Sequence, residues 1–250
     1  MPAKTRASSA KPIFIEPMQA RLVQTLPEGD DWLYETKLDG YRDRAIAIKD
    51  DERVEIRSRN YKDLTTAYPT VCAAVRGLAT ERVVLDGEIV AVDGSGVPSF
   101  QALQHRSART NHQIAYYAFD VLHIDGAELT RDNLSARRAR LPQVVANSGV
   151  LMSIELPGTA SEVIEAVSAL GLEGVIAKRR DSKYEPGERS GAWVKLKLDK
   201  QQEFVVGGFR PNGKAVDALS WVSTTSGRCI SRGKSAPECR LVFGRSYLTY

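Results

Sequence analysis

The residue best placed to do covalent chemistry is a lysine just before a glycine turn. Lys37 ends a strand-like segment and opens the hexapeptide Lys-Leu-Asp-Gly-Tyr-Arg at 37–42. A lysine amine attacks phosphorus only when it is neutral, and burial or neighbouring cations favour the neutral form. Taken alone, the hexapeptide is explained equally well as a hairpin whose Asp39-Gly40 turn has charged flanks.

A later strand supplies neighbouring cations. Lys195 and Lys197 alternate in Trp-Val-Lys-Leu-Lys at 193–197, so both side chains leave the strand on the same face. Two lysines on one face suit a triphosphate, although lysines also protect exposed sheet edges from pairing with other chains. By itself the protective role would be the better explanation.

Two acids and one aromatic residue could complete a nucleotide site. Glu88 follows Asp86-Gly87, which we interpret as a turn, and Glu173 stands at the start of a strand. Mg²⁺ requires only one or two protein carboxylates, because waters and phosphate oxygens complete its octahedron. Phe119 lies in a strand where core packing is the usual role, but its face also suits a flat base. The three histidines have no spacing typical of ligands or acid–base catalysts, so we expect surface or packing roles for His105, His112 and His123.

The composition is that of a globular protein with a core. Of 250 residues, 42% are hydrophobic and 26% charged, and no apolar run approaches the roughly 20 residues of a membrane helix. Three scattered cysteines do not form a disulfide framework, so we expect a cytoplasmic location. Residues 1–12 contribute +3 and residues 198–250 contribute +4 to a net charge of +4, so the body between them is net −3. A phosphate-binding face there must come from local clusters.

The sequence pattern predicts that short strands, interleaved with a few helices, position these residues. We predict strands at 33–37, 44–49, 114–124, 174–178 and 193–198, a strand–turn–strand at 82–93, and helices at 69–77, 99–106, 135–146 and 161–170. The regular alternation of a parallel sheet is missing. The pattern therefore predicts an α+β domain of antiparallel hairpins with helices packed outside.

The order of the motifs is more specific than any one of them. A Lys-x-Asp-Gly strand, an Asp-Gly-Glu strand, a Phe-Asp strand, a Glu-Gly…Lys strand and a Lys-x-Lys strand occur in succession. This order resembles the covalent nucleotidyltransferase superfamily and, within it, the ATP-dependent DNA ligases. The segments at 17–20 (PMQA), 57–60 (RSRN) and 99–104 (SFQALQ) look like the ligase domain of bacterial non-homologous end-joining systems. The resemblance covers about residues 13–210.

The resemblance implies a fold, a reaction and a domain order. The fold would be an ATP-grasp-like nucleotidyltransferase of largely antiparallel sheets with flanking helices at 13–198, after a basic tail at 1–12 and before a partial OB-fold at 199–250. The activity would join 5′-phosphate and 3′-hydroxyl DNA ends in repair and recombination. Lysyl-AMP forms from ATP, AMP moves to the 5′-phosphate, and the 3′-hydroxyl displaces AMP.

The resemblance also implies a role for each motif residue, with Lys37 as the nucleophile. The adenine would be contacted by Glu35, Thr36 and Phe119, the ribose by Arg42 and Glu88, a Mg²⁺ or Mn²⁺ ion by Glu88 and Glu173, and the phosphates by Lys178, Lys195, Lys197, Arg57 and Arg189. A ligase accepts any DNA sequence, so we expect backbone contacts from the clusters at 57–62 and 179–183. We interpret the run at 137–140 (RRAR) as a solvated helix face.

The sequence departs from the family near its C-terminal part. Residues 203–209 fit the first strand of an OB-fold, but the pattern changes after Leu219, and about fifty residues are fewer than the roughly 70 such a domain needs. We expect a truncated or frame-altered end. Self-adenylylation would then be weak, whereas sealing of DNA that already carries 5′-AMP would be retained.

Two other function classes stay open at this point. An RNA ligase or a GTP-using capping enzyme shares the Lys-x-Asp-Gly core, and a non-catalytic remnant could bind DNA or nucleotide without turnover. Labelled ATP or GTP separates the DNA ligase from the first of these classes, and the absence of any labelled lysine would favour the non-catalytic remnant. For a ligase we expect a monomer, near the nucleoid in a bacterium, with a Ku-like end-binding partner and no membrane contact.

Overall fold

A computed structural model describes residues 10–38, 44–92, 113–198, 205–212, 215–225 and 228–235. The chain divides into two compact units, 1–198 and 199–250. Among the residues described, no helix is long and apolar enough to cross a membrane. The predicted basic tail at 1–12 falls almost wholly outside the described residues, as does the predicted helix at 99–106.

The described strands of the first unit are mostly antiparallel, and β5 and β6 are the longest of them. In chain order they are β1 (Arg21–Leu22), β2 (Trp32–Thr36), β3 (Arg44–Asp50), β4 (Arg53–Ser58), β5 (Arg82–Val92), β6 (Gln113–Ile124), β7 (Ala127–Glu128), β8 (Leu151–Met152), β9 (Glu155–Leu156), β10 (Gly174–Arg179) and β11 (Trp193–Lys197). The described helices are α1 (Pro69–Arg76), α2 (Leu134–Arg138), α3 (Leu141–Val145) and α4 (Ala160–Ala169), with a 3₁₀ turn at Thr65–Ala67.

These strands form two sheets whose inner faces meet. The first sheet has the order β1-β11-β10-β2-β9 and the second the order β4-β3-β5-β6-β7, with β8 parallel to β6. The outer face of the first sheet packs on α4, and the outer face of the second packs on α1 and α3. Between the sheets lies a third apolar cluster, which includes Ile46, Phe119 and Trp193. The predicted α+β arrangement of antiparallel sheets and external helices is confirmed.

The two strands that flank the segment after Lys37 do not pair with each other as a hairpin would. The strand before it, β2, pairs with β10 and β9 in the first sheet, whereas the strand after it, β3, pairs with β4 and β5 in the second. Asp39-Gly40 itself lies outside the described residues. The prediction of a hairpin from this dipeptide was therefore wrong, because the chain passes from one sheet to the other here.

The second Asp-Gly dipeptide is also not a turn. Asp86 and Gly87 lie in the middle of the continuous strand β5, where the register with β6 shifts between them. A Cβ atom on Gly87 would lie 2.5 Å from Tyr116 Cζ and 2.5 Å from the carbonyl oxygen of Tyr117. Glycine is thus required at position 87 because β6 approaches β5 closely at this bulge. Glu88 consequently lies within a strand and does not follow a turn.

We expect Gly87→Ala to lower the free energy of unfolding by about 1–3 kcal/mol, because an added methyl group must push apart two paired strands. Tyr116 cannot yield easily, since it is buried and its hydroxyl donates to the carbonyl of Ala45 at 2.7 Å. Urea unfolding measures the change. Gly77→Ala is the control, because Gly77 has a right-handed helical φ of −70°; an equal loss in both variants would contradict the explanation.

The predicted helix at 135–146 is two short helices. Pro142 lies in the first turn of α3 and has no N–H to donate to the carbonyl of residue 138, so the helix stops and restarts. The helices at 69–77 and 161–170 form as predicted, with Pro69 in the first turn of α1 and a capping box between Thr159 and Glu162 on α4.

The described part of the second unit is one antiparallel sheet. Its strands are β12 (Val205–Asn212), β13 (Ala215–Thr225) and β14 (Arg228–Ser235), in that spatial order. Strand β13 continues through Leu219, where the sequence pattern changes, so the backbone stays extended across that point.

Candidate active site

A cavity of about 590 Å³ lies between the inner faces of the two sheets of the first unit. Most of the predicted site residues line it, namely Glu35, Thr36, Lys37, Glu88, Phe119, Glu173, Lys178, Arg189 and Lys195. Strand alternation explains the first-sheet members: Glu35, Ile176 and Lys195 are register neighbours on β2, β10 and β11, so their side chains form a row across one face.

Three predicted residues are not among those lining the cavity. Arg42 lies outside the described residues. Lys197 is exposed at the end of β11, although its charge acts on Lys195. Arg57 is held by Glu55 at 3.0 Å and lies 3.5 Å from Asp63, while Arg59, two residues later, lines the cavity. The motif at 57–60 contains both arginines, and the sequence offered no means of choosing between them.

Lys37 is held at the mouth of this cavity by both its backbone and its side chain. Its backbone N–H donates to the carbonyl of Gly174 at 2.8 Å, which continues the pairing of β2 with β10. Its ammonium forms an ion pair with Glu173, and the side chain is 17% exposed. Gly174 also allows β11 to approach β10 closely, because a Cβ atom there would overlap the carbonyl oxygen of Leu196.

The cations near Lys37 interact with one another. Burial, followed by the charges of Lys37, Arg189 and Lys197, lowers the pKa of Lys195. The charges of Lys37, Arg189 and Lys197 therefore act on Lys195 within one region of the first unit. The ammonium of Lys37 pairs with Glu173, and Lys37 lines the cavity together with Lys195 on β11.

Glu35 is a buried carboxylate at the floor of the cavity. It is 2% exposed, forms an ion pair with Arg138, accepts from Ser153 Oγ at 3.0 Å, and lies 2.7 Å from Lys178 Nζ. The interpretation of the run at 137–140 as a solvated helix face is therefore wrong for Arg138. Its neighbour Arg137 is fully buried and grips Asp120 with two hydrogen bonds of 2.9 and 2.8 Å.

The predicted stacking residue is surrounded by cations. The ammonium of Lys178 lies 4.3 Å from the ring centroid of Phe119, and the guanidinium of Arg44 lies 4.9 Å from it. Both cations lie at similar distances from the ring of Trp193. Burial is the main cause that lowers the pKa of Lys178, with Glu35 opposing it. A base that stacks on Phe119 would compete with these cation–π contacts.

Arg44 was missed by sequence reasoning. It lines the cavity and pairs with the buried Asp86, which also accepts from Tyr184 Oη at 2.6 Å. Burial, together with Asp86, raises the pKa of Tyr184 well above its ordinary value. The alternation of Ile46 and Ile48 places Arg44 on the inner face, which is the signal that could have found it.

Among the histidines, the structure describes only His123. It is buried on β6, and burial lowers its pKa. It does not line the cavity, which agrees with the predicted packing role. His105 and His112 lie outside the described residues.

A family model for the ATP-dependent DNA ligase domain matches residues 14–197, which is most of the chain. The chain belongs to the ATP-dependent DNA ligase family. The resemblance inferred from the motif order is thereby confirmed, and it extends over the unit that contains the cavity.

Ligases of non-homologous end joining are among the similar proteins. The chain is 43% identical over 179 residues to the multifunctional non-homologous end joining protein LigD of Mycolicibacterium smegmatis, covering 72% of this chain and 23% of that protein. It is 38% identical over 220 residues to LigD of Pseudomonas aeruginosa, covering 85% and 26%. The chain thus spans about a quarter of the length of these relatives.

Solved ligase structures have the same fold. A mycobacterial DNA ligase D complexed with ATP and MES matches with a TM-score of 0.69 at 35% identity, over 90% of this chain and 73% of that one. The ligase domain of LigD from M. tuberculosis matches with a TM-score of 0.65 at 34% identity, over 90% and 73%.

In a ligase of this kind, Lys195 would make ATP binding depend on pH. Its lowered pKa means that it loses its charge below the ordinary value of 10.5, so ATP affinity should fall as the pH rises toward that value. We expect Lys195→Arg to move this decline to higher pH, because a guanidinium stays charged. Equilibrium dialysis with ATP from about pH 7 to about pH 10 measures it. The exposed Lys183→Arg serves as control, and identical profiles for Lys195→Arg and the wild type would contradict the role.

Proposed function

We propose that this chain is an ATP-dependent DNA ligase that carries AMP on Lys37. The observation that supports this best is the position of the Lys37 amine, at the edge of a cavity that also holds Glu173, Arg189 and Lys195. Each step of ligation is an in-line displacement at phosphorus, in which the protein mainly positions groups and neutralises charge. A cavity lined by lysines, arginines and carboxylates suits that task without a histidine base.

The nucleotide would lie with its base toward the floor and its phosphates toward the mouth. Glu35 and Thr36 would contact the edge of adenine, and Phe119 its face. Arg42 and Glu88 would hold the ribose. We assign the phosphates to Lys195, Lys197 and Arg189, and add Arg59 from its place in the cavity. Lys178 would reach a phosphate only by leaving Glu35, and Arg57 only by leaving Glu55.

A divalent cation, Mg²⁺ or Mn²⁺, fits the donors present. Glu88 and Glu173 both line the cavity, and carboxylate oxygens are the ligands these ions prefer. In the part of the chain that the structure describes, no group of three or more metal-binding side chains occurs, so phosphate oxygens would supply further ligands. The bound ion would neutralise phosphate charge.

DNA would be held through its backbone by exposed cations of the two predicted clusters. In the cluster at 57–62, Arg59 and Lys62 are exposed. In the cluster at 179–183, Arg179 pairs with Asp181, whereas Lys183 is exposed. Since Arg59 is assigned to the nucleotide phosphates, we assign the main DNA contacts to Lys62 and Lys183, with an affinity that falls as salt rises.

The finer features of the second unit and the partners are also proposals. We assign the domains as 1–12, 13–198 and 199–250, and the antiparallel sheet β12-β13-β14 supports a partial OB-fold in the last of these. A Ku-like end-binding partner, a monomeric state and a place near the nucleoid follow from end joining as the reaction. Weak self-adenylylation stays a prediction, tested by comparing ATP-driven with pre-adenylated nick joining.

Incubation with ATP and Mg²⁺ tests the proposal. Mass spectrometry should show an AMP adduct that maps to Lys37, and nicked duplex DNA should be joined. GTP in place of ATP should give no adduct, whereas a GTP adduct would favour a capping-type enzyme. DNA binding with no adduct under any condition would favour the non-catalytic alternative.

A further inference from the structure

Arg138 connects the two sheets beneath the cavity. One of its guanidinium nitrogens, Nη1, pairs with Glu35 on β2 and donates to the carbonyl of Phe119 on β6 at 2.9 Å. Its Nη2 donates to the carbonyl of Ser153 at 3.0 Å. One side chain thus fixes the positions of the residues proposed for the edge and the face of the base, although they belong to different sheets.

Among the described residues, three side-chain groups approach the carboxylate of Glu35 and leave one acceptor position. A carboxylate offers about four acceptor positions. Arg138 and Ser153 use two of them on Oε1, and Lys178 approaches Oε2. Glu35 lines the cavity while being almost fully buried, so the remaining position on Oε2 is the one we consider for a bound ligand. A single remaining acceptor fits one N–H donor of a ligand.

We propose that Arg138 is a positioning residue that gives the cavity its preference for a purine with a 6-amino group. The proposal rests on the function proposed above. Arg138 acts through Glu35: it holds Oε1, so that Oε2 faces the exocyclic amine of adenine. A 6-carbonyl or an unsubstituted purine offers no donor there and leaves a buried acceptor unpaired, which is costly.

Two nucleotides that differ only in that amine test this role. Initial rates of lysine modification are measured with ATP and with purine riboside 5′-triphosphate, which lacks the 6-amino group. A hydrogen bond to a charged group implies that the wild type prefers ATP by about tenfold or more. Arg138→Gln should reduce this preference to below about threefold, and Ser153→Ala should reduce it by a smaller factor.

Arg140→Gln is the matched control. Arg140 follows α2, its side chain is 43% exposed, and its one ion pair among the described residues is with Asp132. The Arg140→Gln variant should therefore prefer ATP to the same degree as the wild type. An unchanged preference in Arg138→Gln, with both rates lowered equally, would show a purely structural role and overturn the proposal. If Arg138→Gln does not fold, an unchanged preference in Ser153→Ala overturns it.

The wild type separates this inference from the proposed function. A wild type that forms no adduct with either nucleotide contradicts the ligase function and this inference together. A wild type that forms the adduct equally well with both nucleotides supports the ligase function and contradicts only the role of Arg138.

Discussion

Lys37→Arg is expected to abolish the AMP adduct and to lower ATP-dependent joining of nicked DNA by about 10³-fold or more, as when other enzymes lose a nucleophile. The arginine keeps a positive charge for Glu173, which pairs with Lys37. A guanidinium is not deprotonated in proteins, so it cannot attack phosphorus. Intact-protein mass after incubation with ATP and Mg²⁺, with a joining assay on the same samples, measures both effects.

The control for this substitution is Lys183→Arg. Lys183 is an exposed lysine outside the cavity, and the same chemical change there should leave adduct formation at the wild-type level. Urea unfolding of both variants checks that the fold is intact. An adduct of wild-type yield in Lys37→Arg, mapped to another lysine such as Lys195, would show that the nucleophile had been assigned to the wrong residue.

Arg137→Ala is expected to cost about 3–5 kcal/mol of unfolding free energy, the scale for breaking a buried ion pair. Arg137 and Asp120 are both fully buried, and the substitution leaves Asp120 without its cation. Asp120 lies opposite Asp86 in the pairing of β5 with β6, so an unpaired charge there also faces a second carboxylate. The midpoint and slope of urea unfolding give the loss.

Arg179→Ala provides a matched comparison. Arg179 grips Asp181 with the same two-bond geometry, at 3.1 and 2.9 Å, but the side chains are 48% and 62% exposed. An exposed pair contributes at most about 1 kcal/mol. A similar small loss of unfolding free energy in both variants would contradict the explanation. It would show that burial does not increase the contribution of the Arg137–Asp120 ion pair.

That Lys37 and its strand neighbours share one site was predictable from the sequence because local rules fix their positions on each strand. Alternation along β11 predicts that Lys195 and Lys197 share a face, and Lys195 lines the cavity. The order of five motifs then indicated the family, which the matching domain model confirms. Periodicity and helix-end signals, which are local in the sequence, also predicted strands β6, β10 and β11 and helices α1 and α4.

Local rules failed where a residue's partner lies far along the chain. Asp-Gly favours a tight turn, yet Asp86-Gly87 is a bulge, because Tyr116 of the neighbouring strand occupies the space a side chain would need. Arginines in a row suggest a solvated face, yet Arg137 is buried against Asp120.

The floor of the cavity was decided by tertiary structure alone. Glu35 is met by Arg138 from 103 residues away and by Ser153 from 118 residues away. The sequence carries the chemical types of these side chains, but periodicity describes only which face of its own element each one occupies. Which buried charge meets which partner is set by how the two sheets close on each other, since a buried charge is stable only where that closure brings it an opposite one.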